Sequence, residues 1–178
     1  MAHEVGAGKT YAAIALAYEL KRLGKVHTQL AALAGNRTLD CSYHAALYLL
    51  SHDPEIYEAA RKCVTVDGIE FAKVKRLTKG FDETSQQLID IAHNLFSWTS
   101  KCKVTPFDIS RLGYPYMELA CTACYIAAGQ MEVVIEPETG NLKLDDQAYQ
   151  KTQRLHERME RLYTSMEIAG AEENGMER

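Results

Sequence analysis

The sequence predicts a mainly α protein: a compact multi-helix domain with one β-hairpin near residues 131–144 and a long C-terminal helix. Three observations predict it. Apolar residues recur at spacings of three and four through most of the 178 residues. Helix-starting residues, Asp53-Pro54, Asp82 and Thr105-Pro106, stand directly ahead of those stretches. Only one region reads as strand: Met131 to Ile135, then a turn containing Gly140, then Leu142-Lys143-Leu144.

Taken in order, Thr10 to Leu23 presents Ala13, Leu16, Ala17 and Leu20, and is expected to stop at Gly24 in a left-handed cap. A second short apolar stretch, Val26 to Ala34, ends at Gly35-Asn36. Leu39, Ala46, Leu47 and Leu50 form the next helical face. Asp53 as N-cap and Pro54 at the first helical position start a helix through Ala59, Ala60 and Cys63. Asp67 and Glu70 have the acidic form of a capping-box spacing, and Phe71, Val74 and Leu77 are expected to point inward before Gly80 closes the element. Asp82 caps a helix carrying Leu88, Ile91, Leu95 and Trp98. Thr105-Pro106 with Asp108 starts a short helix ending at Leu112-Gly113. Tyr116 to Ala128 is apolar on nearly every side, which predicts the central buried helix. Asp145 is expected to cap the last helix, running to about Met166 with Ala148, Thr152, Leu155, Met159, Leu162 and Met166 along one side. The expected organisation is an N-terminal helical segment at 1–35, a helical domain with the hairpin at 36–168, and a disordered acidic tail at 169–178.

A net charge of −4 excludes the whole molecule as a polyelectrolyte partner of nucleic acid or of an anionic membrane. The charge is graded, from five basic and two acidic groups in residues 1–39 to six basic and eleven acidic in 131–178. Five irregularly spaced cysteines, Cys41, Cys63, Cys102, Cys121 and Cys124, suit reduced thiols better than a disulfide framework. No signal peptide and no long apolar run is apparent, so a cytoplasmic, soluble protein is expected.

The chain opens on His3-Glu4-Val5-Gly6-Ala7-Gly8-Lys9-Thr10. In a phosphate-binding loop, glycines let backbone N–H groups wrap a phosphate, the lysine neutralises its charge and the hydroxyl reaches magnesium. Gly6, Gly8, Lys9 and Thr10 supply those groups, with His3 where the first glycine of the general pattern stands. With the Lys21-Arg22-Leu23-Gly24 stretch, this segment strongly resembles motif I and its following helix in the large superfamily-two helicase and DNA-methylase proteins of bacterial conjugative elements and phages. The resemblance covers roughly residues 2–25 and implies nucleotide binding as an alternative function. Hydrolysis also needs a buried strand entering the loop and an acidic pair closing another strand. Only two residues precede the motif, and the nearest acidic strand, Val133 to Glu136, runs into Pro137 and reads as a hairpin edge. The favoured reading is therefore a helicase-like relic, with no cofactor and no enzymatic turnover expected.

Cys121-Thr122-Ala123-Cys124 has CxxC spacing, but a zinc site needs two further ligands, so close-packing small residues inside a buried helix are expected and no metal. His44, His52, His93 and His156 are expected as surface or satisfied core residues. Thr105 to Gly113 followed by a helix has the outline of a helix-turn-helix, which supports a DNA-binding accessory factor as a further alternative. That second helix carries no lysine or arginine, since none stands between Arg111 and Lys143. Lys73, Lys75, Arg76 and Lys79 form a basic patch, a candidate contact for phosphate, nucleic acid or an acidic protein surface against the commoner solvated face. The apolar side of the last helix is a candidate for homo-oligomerisation, against packing on the parent core.

Residues from about Thr38 to Leu144 resemble small helical families that accompany mobile elements in Firmicutes, through Tyr43-His44-Ala45-Ala46-Leu47-Tyr48-Leu49-Leu50 and Ala92-His93-Asn94-Leu95-Phe96. That resemblance implies phage or conjugative-element cargo with no assigned chemistry. The expected function is a non-enzymatic interaction protein with a host or element protein as partner, with inhibition of a CRISPR or restriction nuclease as a candidate role.

Overall fold

The computed structural model describes residues 4–35 and 39–175, with side chains described over 14–35 and 39–166. Eight helices and two two-stranded hairpins are found among them. The predicted class, mainly helical with a long C-terminal helix, is the observed one. A second hairpin, unforeseen, joins β1 (Val64–Thr65) to β2 (Gly68–Ile69), pairing Val64 with Ile69 and Thr65 with Gly68. It takes Asp67 for its turn, where the Asp67 amide donates to Thr65 Oγ1, so Asp67 is not part of a capping box.

Helix α1 (Glu4–Leu33) is continuous through Gly24. Gly24 does not take the left-handed conformation expected of a cap, and its lack of a side chain serves a different end. A Cβ there would come to 2.2 Å from the Gly140 carbonyl oxygen and 3.0 Å from the Leu142 amide nitrogen, so the turn of the later hairpin lies directly on the helix backbone. The helix stops instead at Gly35, whose φ of 81° closes the last turn.

Side-chain caps set the following starts. Asp40 accepts from the Tyr43 amide ahead of α2 (Cys41–His52), and Asp53 accepts from the Glu55 and Ile56 amides ahead of α3 (Pro54–Ala60). Glu70 precedes α4 (Phe71–Leu77) without a side-chain cap. Asp82 caps α5 (Glu83–Phe96) through Ser85, and Thr105 with Asp108 forms a reciprocal capping box on α6 (Pro106–Arg111). Helix α7 (Tyr116–Ala127) leads into β3 (Glu132–Ile135) and β4 (Leu142–Asp145), whose register pairs Ile135 with Leu142 and Glu132 with Asp145. Asp145 thus ends a strand, two residues ahead of the last helix, α8 (Gln147–Gly175).

The core is built around α2, not α7. Ala45, Ala46, Leu47, Leu49, Leu50 and Ser51 are buried on α2, which packs against α1, α3, α5 and α7. On α7 only Leu119, Ala120, Ala123 and Ile126 are buried, so the helix expected to be central exposes its other face. Trp98, expected on the buried face of α5, lies beyond the end of that helix and is 90% exposed. On α4 Phe71 and Val74 are buried as expected, but Leu77 is 44% exposed and the buried position beside it is Thr78, whose hydroxyl donates to the Val74 carbonyl.

Residues 1–35 were expected to form a separate segment, yet the boundary at 35 falls inside one compact unit, Met1–Asp145. Val26, His27, Leu30 and Ala34 are buried, Arg22 donates to the His52 carbonyl at the end of α2, and the Tyr57 hydroxyl of α3 donates to Gln29. The C-terminal half of α1 is therefore part of the core. The second unit, Asp146–Arg178, contains α8, whose helical span runs past residue 169, where the acidic tail was expected to begin.

Candidate functional site

Gly6, Gly8, Lys9 and Thr10 fall within the span of α1, and their side chains lie outside the described residues, as does His3 altogether. The expected basic patch is brought onto α4 and the turn after it, but its charges are not equivalent. Lys75 Nζ sits 2.6 Å from Asp90 on α5, and Lys73 is engaged by Glu70 at 3.5 Å and donates to the Lys62 carbonyl. Among the described residues no ion-pair partner is found for Arg76 and Lys79, both exposed beside the C-terminal end of α4, where the helix dipole favours cations. Half of the patch therefore serves to fasten α4 to its neighbours.

Cys121 and Cys124, expected between tightly packed helices, are both exposed on α7. Although the residue is exposed, partial burial of its sulfur lifts the Cys124 thiol above its ordinary pKa, with the neighbouring Cys121 adding to the effect. Among the described residues no cluster of three His, Cys, Asp or Glu is arranged to hold a metal ion. The helix-turn-helix outline places α6 before α7, and the exposed side chains of α7 include Met117, Glu118, Cys121, Cys124 and Tyr125, without a cation.

Two features of this region were not foreseen. The first is the outer face of α7. Met117, Cys121 and Cys124 lie one helical turn apart along it, with Tyr125 beside them; Met117 is 43% exposed and Tyr125 is also exposed. The preceding segments add Trp98, Phe107 and Tyr114 to the exposed aromatic side chains, and Arg111 lies over the Phe107 ring, 5.5 Å from its centroid. The sequence signals this face only as a helix apolar all round, and periodicity does not show which side its neighbours cover.

The second is a histidine-backed cleft of about 320 Å³, lined by Leu39, Cys41, His44, Ile126, Met131, Glu132 and Val133. Behind it His27 of α1 stacks on His44 of α2, with ring centroids 5.7 Å apart and planes 9° from parallel. Burial, reinforced by the proximity of His44, pushes the pKa of His27 down to about 4. Burial also lowers that of His44, against the opposing pull of Asp40 and Glu132. Among the described residues no hydrogen-bond partner is found for the buried atoms His27 Nε2, His44 Nδ1 and His93 Nδ1; of the histidines expected as surface or satisfied core residues, His44 and His93 are half-buried with one ring nitrogen unpaired. Chemically the cleft offers a neutral imidazole, a thiol and a carboxylate on an otherwise apolar wall. His27 escaped notice in the sequence because it stands alone in the apolar stretch after Gly24.

Comparison with protein-family models, with curated proteins and with solved structures finds no match for this chain.

Proposed function

We propose that the protein works by binding another protein through the outer face of α7. The observation that carries this reading is the exposure of Met117, Cys121, Cys124 and Tyr125 on a helix whose opposite face is in the core. Aromatic residues and methionine are the residue types that dominate the centres of protein interfaces, and an apolar face of this kind is uncommon on a surface with no partner. Arg76 and Lys79 give a smaller, separate site of positive charge that would serve to steer an acidic partner. Reduced thiols and a cytoplasmic site of action belong to the same reading. The mobile-element setting, and a host-defence nuclease as the partner, rest on the sequence resemblance alone.

The test is partner capture from a bacterial extract with the wild-type chain and with Met117→Lys/Cys121→Lys, followed by titration of the purified partner. Trp98, the single tryptophan and 90% exposed, gives an intrinsic fluorescence signal for that titration. Binding that is saturable for the wild type and at least roughly tenfold weaker for the variant is expected. Equal binding by both removes α7 from the interface.

A further inference from the structure

We infer that α8 pairs with α8 of a second copy of this chain as a parallel, in-register two-stranded coil. Successive helical residues turn by about 100°. On that basis Ala148, Thr152, Leu155, Met159, Leu162 and Met166 fall along one line, with the alternating spacing of a heptad seam. Every described side chain from Lys151 to Met166 is exposed, with Leu155 at 61%, Leu162 at 52% and Met166 at 69%. Most helical stability in proteins comes from packing of an apolar face, and a continuous apolar line along α8 calls for cover.

The flanks of the seam select the cover. Lys151, Arg154, Arg158 and Arg161, also three and four apart, occupy one flank, while His156, Glu160 and Tyr163 occupy the other. In a parallel pair the two-fold axis runs along the helices, and the basic flank of each copy faces the opposite flank of the other. Arg158 then approaches Tyr163 of the second copy, with the Glu160 carboxylate on the same flank. An antiparallel pair has its axis across the helices and sets the basic flanks against each other. The competing contacts within one helix, Arg161 with Glu157 at 3.7 Å and His156 with Glu160 at 3.7 Å, are exposed and weak. The same asymmetry argues against a membrane surface as the cover, since a helix lying among anionic headgroups gains from cations on both borders of its apolar face.

Sedimentation equilibrium of the full chain over a concentration series tests the pairing, with Leu155→Asp/Leu162→Asp as the disrupting variant. A monomer–dimer equilibrium, weakened roughly a hundredfold or more by the variant, is expected. Orientation is read from oxidative cross-linking of Thr152→Cys/Met166→Cys, with the wild type as control for its five native cysteines. Peptide mapping is expected to find position 152 linked to 152 and 166 to 166. A monomer at every concentration, a dimer indifferent to the two aspartates, or linkage of 152 to 166 between copies would each overturn the inference. So would a monomeric chain whose α8 binds phosphatidylserine vesicles.

Discussion

Helices α2 and α7 are the same length, and both are rich in apolar residues, yet one is the centre of the core and the other lies at its margin. The difference comes from their neighbours. Helix α2 is covered by α1, α3, α5 and α7, whereas α7 meets α2, α5 and α6 and leaves Met117, Cys121 and Cys124 exposed. An apolar composition states how much cover a helix calls for. The surrounding elements decide how much it receives, and on α7 the excess is the surface proposed to meet a partner.

The largest effect that would sharpen this comparison comes from removing the cover of α2. Deleting residues 1–35 strips away Leu30, Ala34, His27 and the Arg22 contact at the end of α2, and is expected to abolish the cooperative thermal transition. A truncated chain that unfolds like the full one would make α1 dispensable. Within α2, Leu50 is fully buried, so Leu50→Ala is expected to lower stability by about 3–4 kcal/mol in urea unfolding. A loss under about 1 kcal/mol would place Leu50 at a margin like that of α7.

Acid attacks the same side of α2. The folded pKa of His27 is about 4, below the 6.5 of a free imidazole, so the unfolded chain takes up the proton first as pH falls. Stability associated with neutral His27 is fully present above about pH 6.5 and is lost progressively towards pH 4, to a total of about 3 kcal/mol. The groups to control for are His44, stacked on it, and Asp40 and Glu132, which act on His44. His27→Gln is expected to flatten that part of the urea-midpoint profile, and an unchanged slope would exclude His27 as its source.

Gly24→Ala has a smaller effect whose sign is informative. In an open helix the change stabilises by up to about 1 kcal/mol, but here the methyl would meet the hairpin backbone at 2.2 Å. A net loss of about 2 kcal/mol is expected, and a net gain would show that the hairpin does not rest on α1.

Local chemistry was the legible part of this molecule. Asp53-Pro54, Asp82 and the Thr105–Asp108 pair announced their helices because caps act within one turn of the chain. The turn at Gly140 was readable for the same reason. What was hidden depends on distant contacts. Gly24 looked like a stop because its real neighbour, Gly140, is more than a hundred residues away in sequence. The hairpin at Val64–Ile69 is too short to show a strand period, and its Asp67 imitated a helix cap. Lys75 read as part of a free basic run until Asp90 appeared across from it on α5. The His27–His44 stack joins two helices, and no spacing along either one signals it.

The central claim, that the outer face of α7 is a binding surface and not part of the core, is tested most directly by following Met117→Lys/Cys121→Lys in two measurements at once. The prediction is a urea-unfolding stability within about 0.5 kcal/mol of wild type together with loss of partner capture. A fall of more than about 2 kcal/mol would place these side chains in the core, and full capture by a stable variant would place the interface elsewhere; either result contradicts the claim.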